Sequence, residues 1–471
     1  MRKGIVIVFI ANIINMMFSM VTSFFLPRYL SIESYGYYKV FQLYVNYLGI
    51  AHLGFVDGIY LKYGGREIRD IDADELLTST ATVRNMQIVI MIAAGLVFGI
   101  MKNPIAILLA FSCVPINMIS YYKNLYQATG EFKNYGIILS VLPMLTFVWD
   151  ILLLFVFRTD NYIYYILVIL CSNLILYCLL ENKSRKIFGK GRFFAFNPYI
   201  LMENIRSGIT LTIGNFSSIL ITSIDRWCIQ VWMTLQAFSY YSFAVSVENL
   251  FNVCLSAVTT TLYNYLCKTA ETEKIIQLKS ICIILSTYVV AVAFPVKFFI
   301  RIWIPKYEAS ISCLFILVCA HAFYFVIKAI YVNLYKARGQ QSHYFHQMLL
   351  ILLIAFVANS IAYWGIVKCI EAFAYASLVT AVIWFFICYF EFDTIRGKNQ
   401  DVLFLILCAA AYLFCGLKID NAILGLVAYL IFVTVMVLIL CKNNFLILVS
   451  VLIKSAAQIT ADVKHRKEKS V

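Results

Sequence analysis

Long apolar runs alternate with short polar joints along the whole chain. A run of about 20 apolar residues is the length a helix needs to cross a bilayer. Fourteen such windows can be drawn, over residues 5–26, 37–60, 85–101, 104–122, 135–157, 162–181, 207–224, 237–264, 275–300, 310–332, 346–367, 370–390, 402–418 and 421–441. Runs this continuous lack the alternation, over segments of about ten residues, that marks a membrane barrel, so sheet is excluded. The pattern predicts an all-α polytopic membrane protein with about 14 transmembrane helices. The first window starts with basic residues, as a signal peptide does. Its apolar run is too long for one, carries Asn12 and Asn15, and ends in Pro27-Arg28, so it is expected to remain as the first helix.

Composition sharpens this picture. The chain is 62% hydrophobic and 13% charged, with a mean hydropathy of +0.85; soluble domains lie near half and a quarter. Several large soluble domains would need longer polar stretches than the joints supply. The net charge of +14 is no nucleic-acid signal, because no block interleaves basic and aromatic residues. Instead the charge follows the bilayer. With the N-terminus in the cytoplasm, inside joints hold Arg2, Lys3, Lys62, Arg66, Arg69, Arg84, Lys123, Lys133, the stretch NKSRKIFGKGR, Arg206, Lys268, Lys274, Lys279, Lys336, Arg338, Arg396, Lys398 and the basic tail. Outside joints hold Arg28, Lys102, Arg158, Arg301, Lys306, Lys368 and Lys418. The bias is about four to one, which places both termini in the cytoplasm and requires an even helix count. Fourteen cysteines include no CxxC pair and lie mostly in apolar runs, so they read as small hydrophobes, with no metal, cofactor or disulfide framework implied.

The chain also repeats itself. NLYQATGEFKNY starts at Asn124 and NLYKARGQQSHY at Asn333, 209 residues later. IAN at Ile10–Asn12 returns as IGN at Ile213–Asn215, and Tyr37-Tyr38 as Tyr240-Tyr241, each 203 residues on. Two six-helix units in the same orientation follow, an N-lobe over 1–185 and a C-lobe over 205–395. Two extra helices (400–442) and a basic amphipathic tail (443–471), suited to anionic lipid, stand outside the repeat. Parallel repeats of six helices are a transporter plan, with the substrate path between the halves. Gly130 and Gly339, inside the duplicated motif, are expected to form tight turns. Pro115, Pro143 and Pro295 fall inside helices as candidate bending points.

LPRYLSIESYGYYKVFQ, LGFVDGIYLKYGG, WIPKYEAS and the NLYKARGQQSHYF turn resemble segments of Wzx-type polysaccharide flippases, of the multidrug/oligosaccharidyl-lipid/polysaccharide exporter superfamily. The resemblance implies movement of a polyprenyl-diphosphate-linked oligosaccharide from the inner to the outer leaflet of the bacterial cytoplasmic membrane. It further implies alternating access of two lobes around a V-shaped cavity. Membrane lipid and other polysaccharide assembly proteins are the further partners implied.

Helical spacing supplies candidates for that cavity. Asn12, Asn15, Ser19 and Thr22 share a face of the first helix, and the repeat pairs them with Asn215, Ser218, Thr222 and Asp225. Lys39, Gln42, Asn46, Gly49, Leu53 and Asp57 align along the second; Glu248, Asn249, Asn252, Ser256 and Thr259 along the eighth. A charge at mid-membrane costs about 2.5–3.5 kcal/mol on insertion scales and is a functional candidate by default. Lys39, Arg226 and Lys328 are candidates for the diphosphate, with Lys39 and Arg226 expected on opposite lobes and Arg28 at the outer mouth. Asn12, Asn46, Asn215 and Asn249 are candidates for the sugars. Asp57, Asp150, Asp225 and Glu248 are candidates for ion coupling, for pairing with those bases, or for holding helices together. Arg226 reads equally as a snorkelling residue at a helix end, Arg28 as an interface anchor, and His321 as a hydrogen-bonded helix contact. Two other functions compete. A membrane polymerase or glycosyltransferase would carry a sizeable outer loop with catalytic residues, and the outer joints are short. A drug exporter moving amphipathic cations would have an acid-dominated cavity, against which Lys39 and Arg226 argue.

Overall fold

The computed structural model describes residues 2–189, 195–268, 271–365, 368–397 and 399–450, and no strand occurs among them. Two compact units divide the chain, Met1–Phe243 and Ala244–Val471. Division by packing falls inside a helix, whereas the boundary expected from the sequence repeat lies between 185 and 205.

The first unit contains α1 (Arg2–Tyr29), α2 (Ile32–Val45), α3 (Phe55–Lys62), α4 (Ala73–Ile100), α5 (Pro104–Ala128), α6 (Phe132–Ile151), α7 (Tyr162–Phe188), α8 (Pro198–Ile221), α9 (Ile224–Trp232) and the start of α10 (Leu235–Lys268). Asn103, Asn161 and Asn197 begin α5, α7 and α8 by accepting backbone N–H bonds, which satisfies donors that the first turn leaves open. In packing, α1 lies against α6, α4 against α5, and α3 against α8.

The second unit holds the rest of α10, then α11 (Thr272–Val289), α12 (Ala293–Trp303), α13 (Ile311–Val326), α14 (Asn333–Ala337), α15 (Gln341–Trp364), α16 (Ile370–Glu391), α17 (Asn399–Lys418) and α18 (Ala422–Leu440). Nearly every side chain of α13 is buried, against α16, α11 and α17, so it forms the axis of this unit. A 3-10 turn at Val290–Val292 separates α11 from α12, just ahead of Pro295. The expected tail is described only as far as residue 450, where it is helical; its basic end lies outside the described residues.

Each of the fourteen windows falls mainly on helix, but fourteen spans are not established. Among the described residues eleven helices are long and apolar enough to cross a membrane, and the pair α8–α9, bent by 60°, makes twelve. The two windows outside that number are the second and the eighth. The second is broken: after α2 the chain makes a 3-10 turn (Leu48–His52), and Leu53 (φ 52°) and Gly54 (φ 95°) take left-handed backbone before α3. The expected polar stripe from Lys39 to Asp57 is therefore not one continuous helix face. The eighth window, α10, is one unbroken helix, and the side chains through its middle lie outside the described ones.

The repeat survives in detail at its turns. Thr129 N–H donates to Leu125 O (3.0 Å) and Glu131 N–H to Tyr126 O (2.9 Å); 209 residues on, Arg338 N–H donates to Leu334 O (2.9 Å) and Gln340 N–H to Tyr335 O (2.9 Å). Gly130 (φ 72°) and Gly339 (φ 70°) supply the left-handed residue each time, as a helix-ending turn of this kind requires.

Candidate functional site

In the first unit the site grows from the two helix breaks. Tyr47, just past α2, touches the Ser223 hydroxyl at the α8–α9 bend. Its ring lies 5.6 Å from Phe216 and 5.4 Å from Trp227, and Tyr44 lies 5.1 Å from Trp227. This aromatic junction brings α9 beside α2, and with it Arg226 beside Lys39. The two are close enough for their like charges to interact. Both belong to the Met1–Phe243 packing unit, whereas the lobes expected from the sequence repeat, 1–185 and 205–395, place them apart.

Lys39 Nζ donates to Gln42 Oε1 (2.8 Å) and stands 5.3 and 5.7 Å from the ring centres of Tyr35 and Tyr38. Gln42 Nε2 in turn donates to the Tyr38 hydroxyl (2.8 Å). Arg226 has a long side-chain bond to Thr222 O (3.4 Å), and its Nε has no hydrogen-bond partner. Next to it, one carboxylate oxygen of Asp225 accepts from Tyr241 OH (2.6 Å) and the other from the Arg226 backbone N–H (2.7 Å). Neither Lys39 nor Arg226 is ion-paired among the described residues. Two such cations side by side can bind an anion.

Asp150, on α6, is buried close to Tyr38 and Tyr165, and its Oδ1 has no hydrogen-bond partner. Asp57 is buried on α3 and accepts a hydrogen bond from Thr212 on α8. That bond belongs to a tight crossing. A Cβ on Gly58 would lie 2.1 Å from Asn204 O, and one on Gly208 would lie 2.1 Å from Gly54 O. Lys62 pairs with Glu203 (3.1 Å) and Glu75 (2.7 Å) at the same crossing.

The second unit holds a separate cluster. Glu248 Oε1 lies 2.8 Å from His321 Nε2. Lys328 lies within electrostatic reach of Glu248 and 5.8 Å from the Tyr324 ring centre. It falls in a π-helical stretch, Ile327–Val332, a distortion often found at functional sites. The remaining candidates are not gathered. Asn12, Asn46, Asn215, Asn249 and Arg28 are exposed at scattered positions. No group of three or more His, Cys, Asp or Glu side chains able to hold a metal occurs among the described residues.

A family model described as polysaccharide biosynthesis protein matches residues 1–270. The chain belongs to the polysaccharide biosynthesis protein family. In fold it is similar to the lipid II flippase MurJ in an inward closed conformation, with a TM-score of 0.67 at 12% identity over 94% of this chain and 100% of that one. It is also similar to an outward-facing multidrug resistance MATE family transporter of the MOP superfamily, with a TM-score of 0.50 at 14% identity over 84% and 96% of the two chains. An inward-facing transporter of that kind gives a TM-score of 0.50 at 14% identity over 82% and 99%. No curated protein matches the chain in sequence.

Sequence reasoning missed some buried polar groups of this family member. Lys297 lies within an apolar window, and Lys279, assigned to an inside joint, is wholly buried. Lys279 Nζ donates to Ile395 O (2.7 Å) and Arg396 O (2.5 Å), and Lys297 Nζ to Gly416 O (2.9 Å) and Ile419 O (2.8 Å). Arg84 was assigned to topology alone, yet its Nη1 is 2.8 Å from Glu181 Oε1, whose Oε2 accepts from Tyr122 OH (2.7 Å). The signal for Lys297 was present, as a lysine between Val296 and Phe298.

Proposed function

We propose that this chain is a flippase, not an enzyme, that carries polyprenyl-diphosphate-linked oligosaccharide from the inner to the outer leaflet of the bacterial cytoplasmic membrane by alternating access. The observation that carries this reading is the pair of unpaired cations, Lys39 and Arg226, beside two broken helices. Membership of the polysaccharide biosynthesis family and the flippase-like fold support it. The end of the bundle that bears the basic joints is cytoplasmic in this reading.

The chemistry of the cargo explains the design. Each sugar hydroxyl costs about 4–8 kcal/mol to move from water into hydrocarbon, so the head group crosses in a polar path while the prenyl tail stays in lipid. Two like charges at close range repel by a few kcal/mol at an effective dielectric of about 20. A diphosphate between Lys39 and Arg226 turns that repulsion into attraction, so loading favours the conformation that brings them together. Moving about two negative charges outward gains on the order of 4.6 kcal/mol per 100 mV, inside negative. The α3–α8 crossing, with its glycine contacts and the Lys62–Glu203 pair, serves as the cytoplasmic seal. If α8–α9 is the first helix of the second repeat, this seal joins the two sequence repeats.

The test is delivery of lipid-linked oligosaccharide to the outer leaflet in cells that depend on this chain. Lys39→Ala and Arg226→Ala each reduce it sharply at unchanged protein level. Lys39→Arg keeps part of it, because charge matters more than shape for a mobile phosphate. Normal delivery by Lys39→Glu would remove α2 from the phosphate site and move the assignment to Lys328.

A further inference from the structure

A cavity in the first unit differs in chemistry from the Lys39–Arg226 pair. It measures about 390 Å³ and lies where α2, the α4–α5 joint, the start of α7 and the α9–α10 joint meet. That end of the bundle is the one opposite the basic joints. The size falls within the range of small-molecule sites, about 300–1,000 Å³. No lining residue is charged.

Aromatic rings and amides dominate the polar part of its wall. Tyr37, Val40 and Tyr44 share a face of α2 at steps of three and four. Tyr37 stacks on Tyr162 with ring centres 4.6 Å apart, and Tyr44 lies 5.1 Å from Trp227. Gln230, on α9, bonds to Tyr44 through its side chain, yet its buried Oε1 has no hydrogen-bond partner. Asn103 Oδ1 accepts from Ala106 N–H (3.1 Å), which leaves its Nδ2 to donate. A buried acceptor without a donor is unusual in a folded chain, and this one belongs to a side chain of the cavity wall.

We propose that this cavity is a saccharide subsite, which takes a neutral sugar ring of the carried repeat unit at the outer end of the path. A sugar ring has an apolar C–H face and an edge of hydroxyls. The rings of Tyr37 and Tyr44 suit the face, and Gln230 Oε1 accepts from a hydroxyl. The absence of charge in the lining sets the site apart from the Lys39–Arg226 pair and disfavours a phosphate or a lipid head group. Sugar and diphosphate are then held by neighbouring segments of the same two helices: Lys39 lies between Tyr37 and Tyr44 on α2, and Arg226 lies one turn before Gln230 on α9. The inference rests on the reading of the chain as a saccharide carrier.

The experiment uses the purified full chain in lipid nanodiscs with free glucose, galactose, N-acetylglucosamine and rhamnose, read by saturation-transfer NMR. At least one sugar gives a signal, and its binding quenches or shifts the Trp227 fluorescence. Gln230→Leu and Tyr37→Ala each weaken binding by about fivefold or more, the loss expected from one hydrogen bond or one ring contact. Tyr37→Phe retains the ring and retains binding, which separates loss of the site from loss of the fold. No signal from any of these sugars, or signals equal in wild type and both weakened variants, overturns the subsite. A wild-type chain that delivers lipid-linked oligosaccharide yet fails this test leaves the carrier reading standing. A chain that passes it but moves no lipid-linked saccharide sinks the carrier reading, and with it the assignment of the bound sugar to a carried repeat unit, while the cavity remains a sugar-binding site.

Discussion

At the scale of single residues, two kinds of membrane lysine coexist in this chain, and only the structure separates them. Lys279 and Lys297 are almost completely buried, and each donates to two carbonyls of the chain. Lys297 reaches the end of α17, Lys279 the segment after α16. Free carbonyls at a helix end carry partial negative charge and satisfy a lysine without a carboxylate. Lys39, in contrast, is half-buried, shares a region with another cation, and is held by one amide. Structural and functional lysines therefore respond oppositely to removal. Lys297→Met is expected to lower the melting temperature in detergent, with a loss of about 1–3 kcal/mol from the orphaned carbonyls. Lys39→Met is expected not to lower it, while abolishing transport, because relief of repulsion offsets the lost hydrogen bond. A fall in stability for Lys39→Met as large as for Lys297→Met would make Lys39 a structural residue. In sequence both are lysines near apolar runs. What distinguishes them, the fate of carbonyls more than 100 residues away, is a tertiary fact.

At the scale of elements, the two repeats share a sequence plan and differ in where they break. By the offset of 203 residues, unbroken α1 corresponds to the bent pair α8–α9, and the broken α2–α3 corresponds to unbroken α10. The breaks meet at Tyr47 and Ser223, and the segments around them cross through Gly54, Gly58 and Gly208. In the sequence, polar residues recur at steps of three and four along each of these helices. The breaks were not legible there, because Leu53 is an ordinary leucine and its left-handed backbone follows from how α3 meets α8. Gly54 and Gly58, visible in LGFVDG, were the available signal. The duplicated turns were the most legible part, since Gly130 and Gly339 sit in matching words and adopt matching backbones. Two outcomes follow at this scale. Gly208→Leu places a side chain onto Gly54 O and is expected to hold α3 and α8 apart, with transport lost. In a cysteine-depleted background, Asn204→Cys, at a position buried in the crossing, then becomes open to an impermeant thiol reagent from the cytoplasmic side; continued protection together with normal transport would show that the crossing is no seal. At Gly130 and Gly339 the added atoms meet open space, so Gly→Val is harmful through backbone strain alone, about 1 kcal/mol or more. Both are expected to impair transport more than Gly99→Val, which lies in a helix with open space around it; equal tolerance at all three positions would leave the turns without a mechanical role.

At the scale of the whole chain, the open question is how many times it crosses the bilayer, and parity decides where it ends. Length and apolarity give eleven spans among the described residues, or twelve with the bent pair. The two remaining windows, α2–α3 and α10, stand outside that number: the first is broken, and the middle of the second lies outside the described side chains. Neither is too short. With 34 residues at about 1.5 Å each, α10 is about 51 Å long, against a hydrocarbon core of about 30 Å. The broken segment still runs from Ile32 to Lys62 between an outer and a basic joint. If both cross, the count is fourteen; if neither does, it is twelve; in either case both termini share a side. A single crossing of the two would put the C-terminus outside. Reporter fusions resolve this directly. Fusions after Lys186, after Gly397 and at Val471 are expected to report the cytoplasm, and one after Asp160 the outside. The decisive pair flanks α10: after Thr234 the reporter is expected outside, and after Lys274 inside, because the neutral joint at Met233–Thr234 contrasts with the basic one carrying Lys268, Lys274 and Lys279. The same side for both fusions would mean that α10 does not cross. With Val471 still inside, α2–α3 could not cross either, and the stripes assigned to Lys39 and Glu248 would lose their place within the membrane.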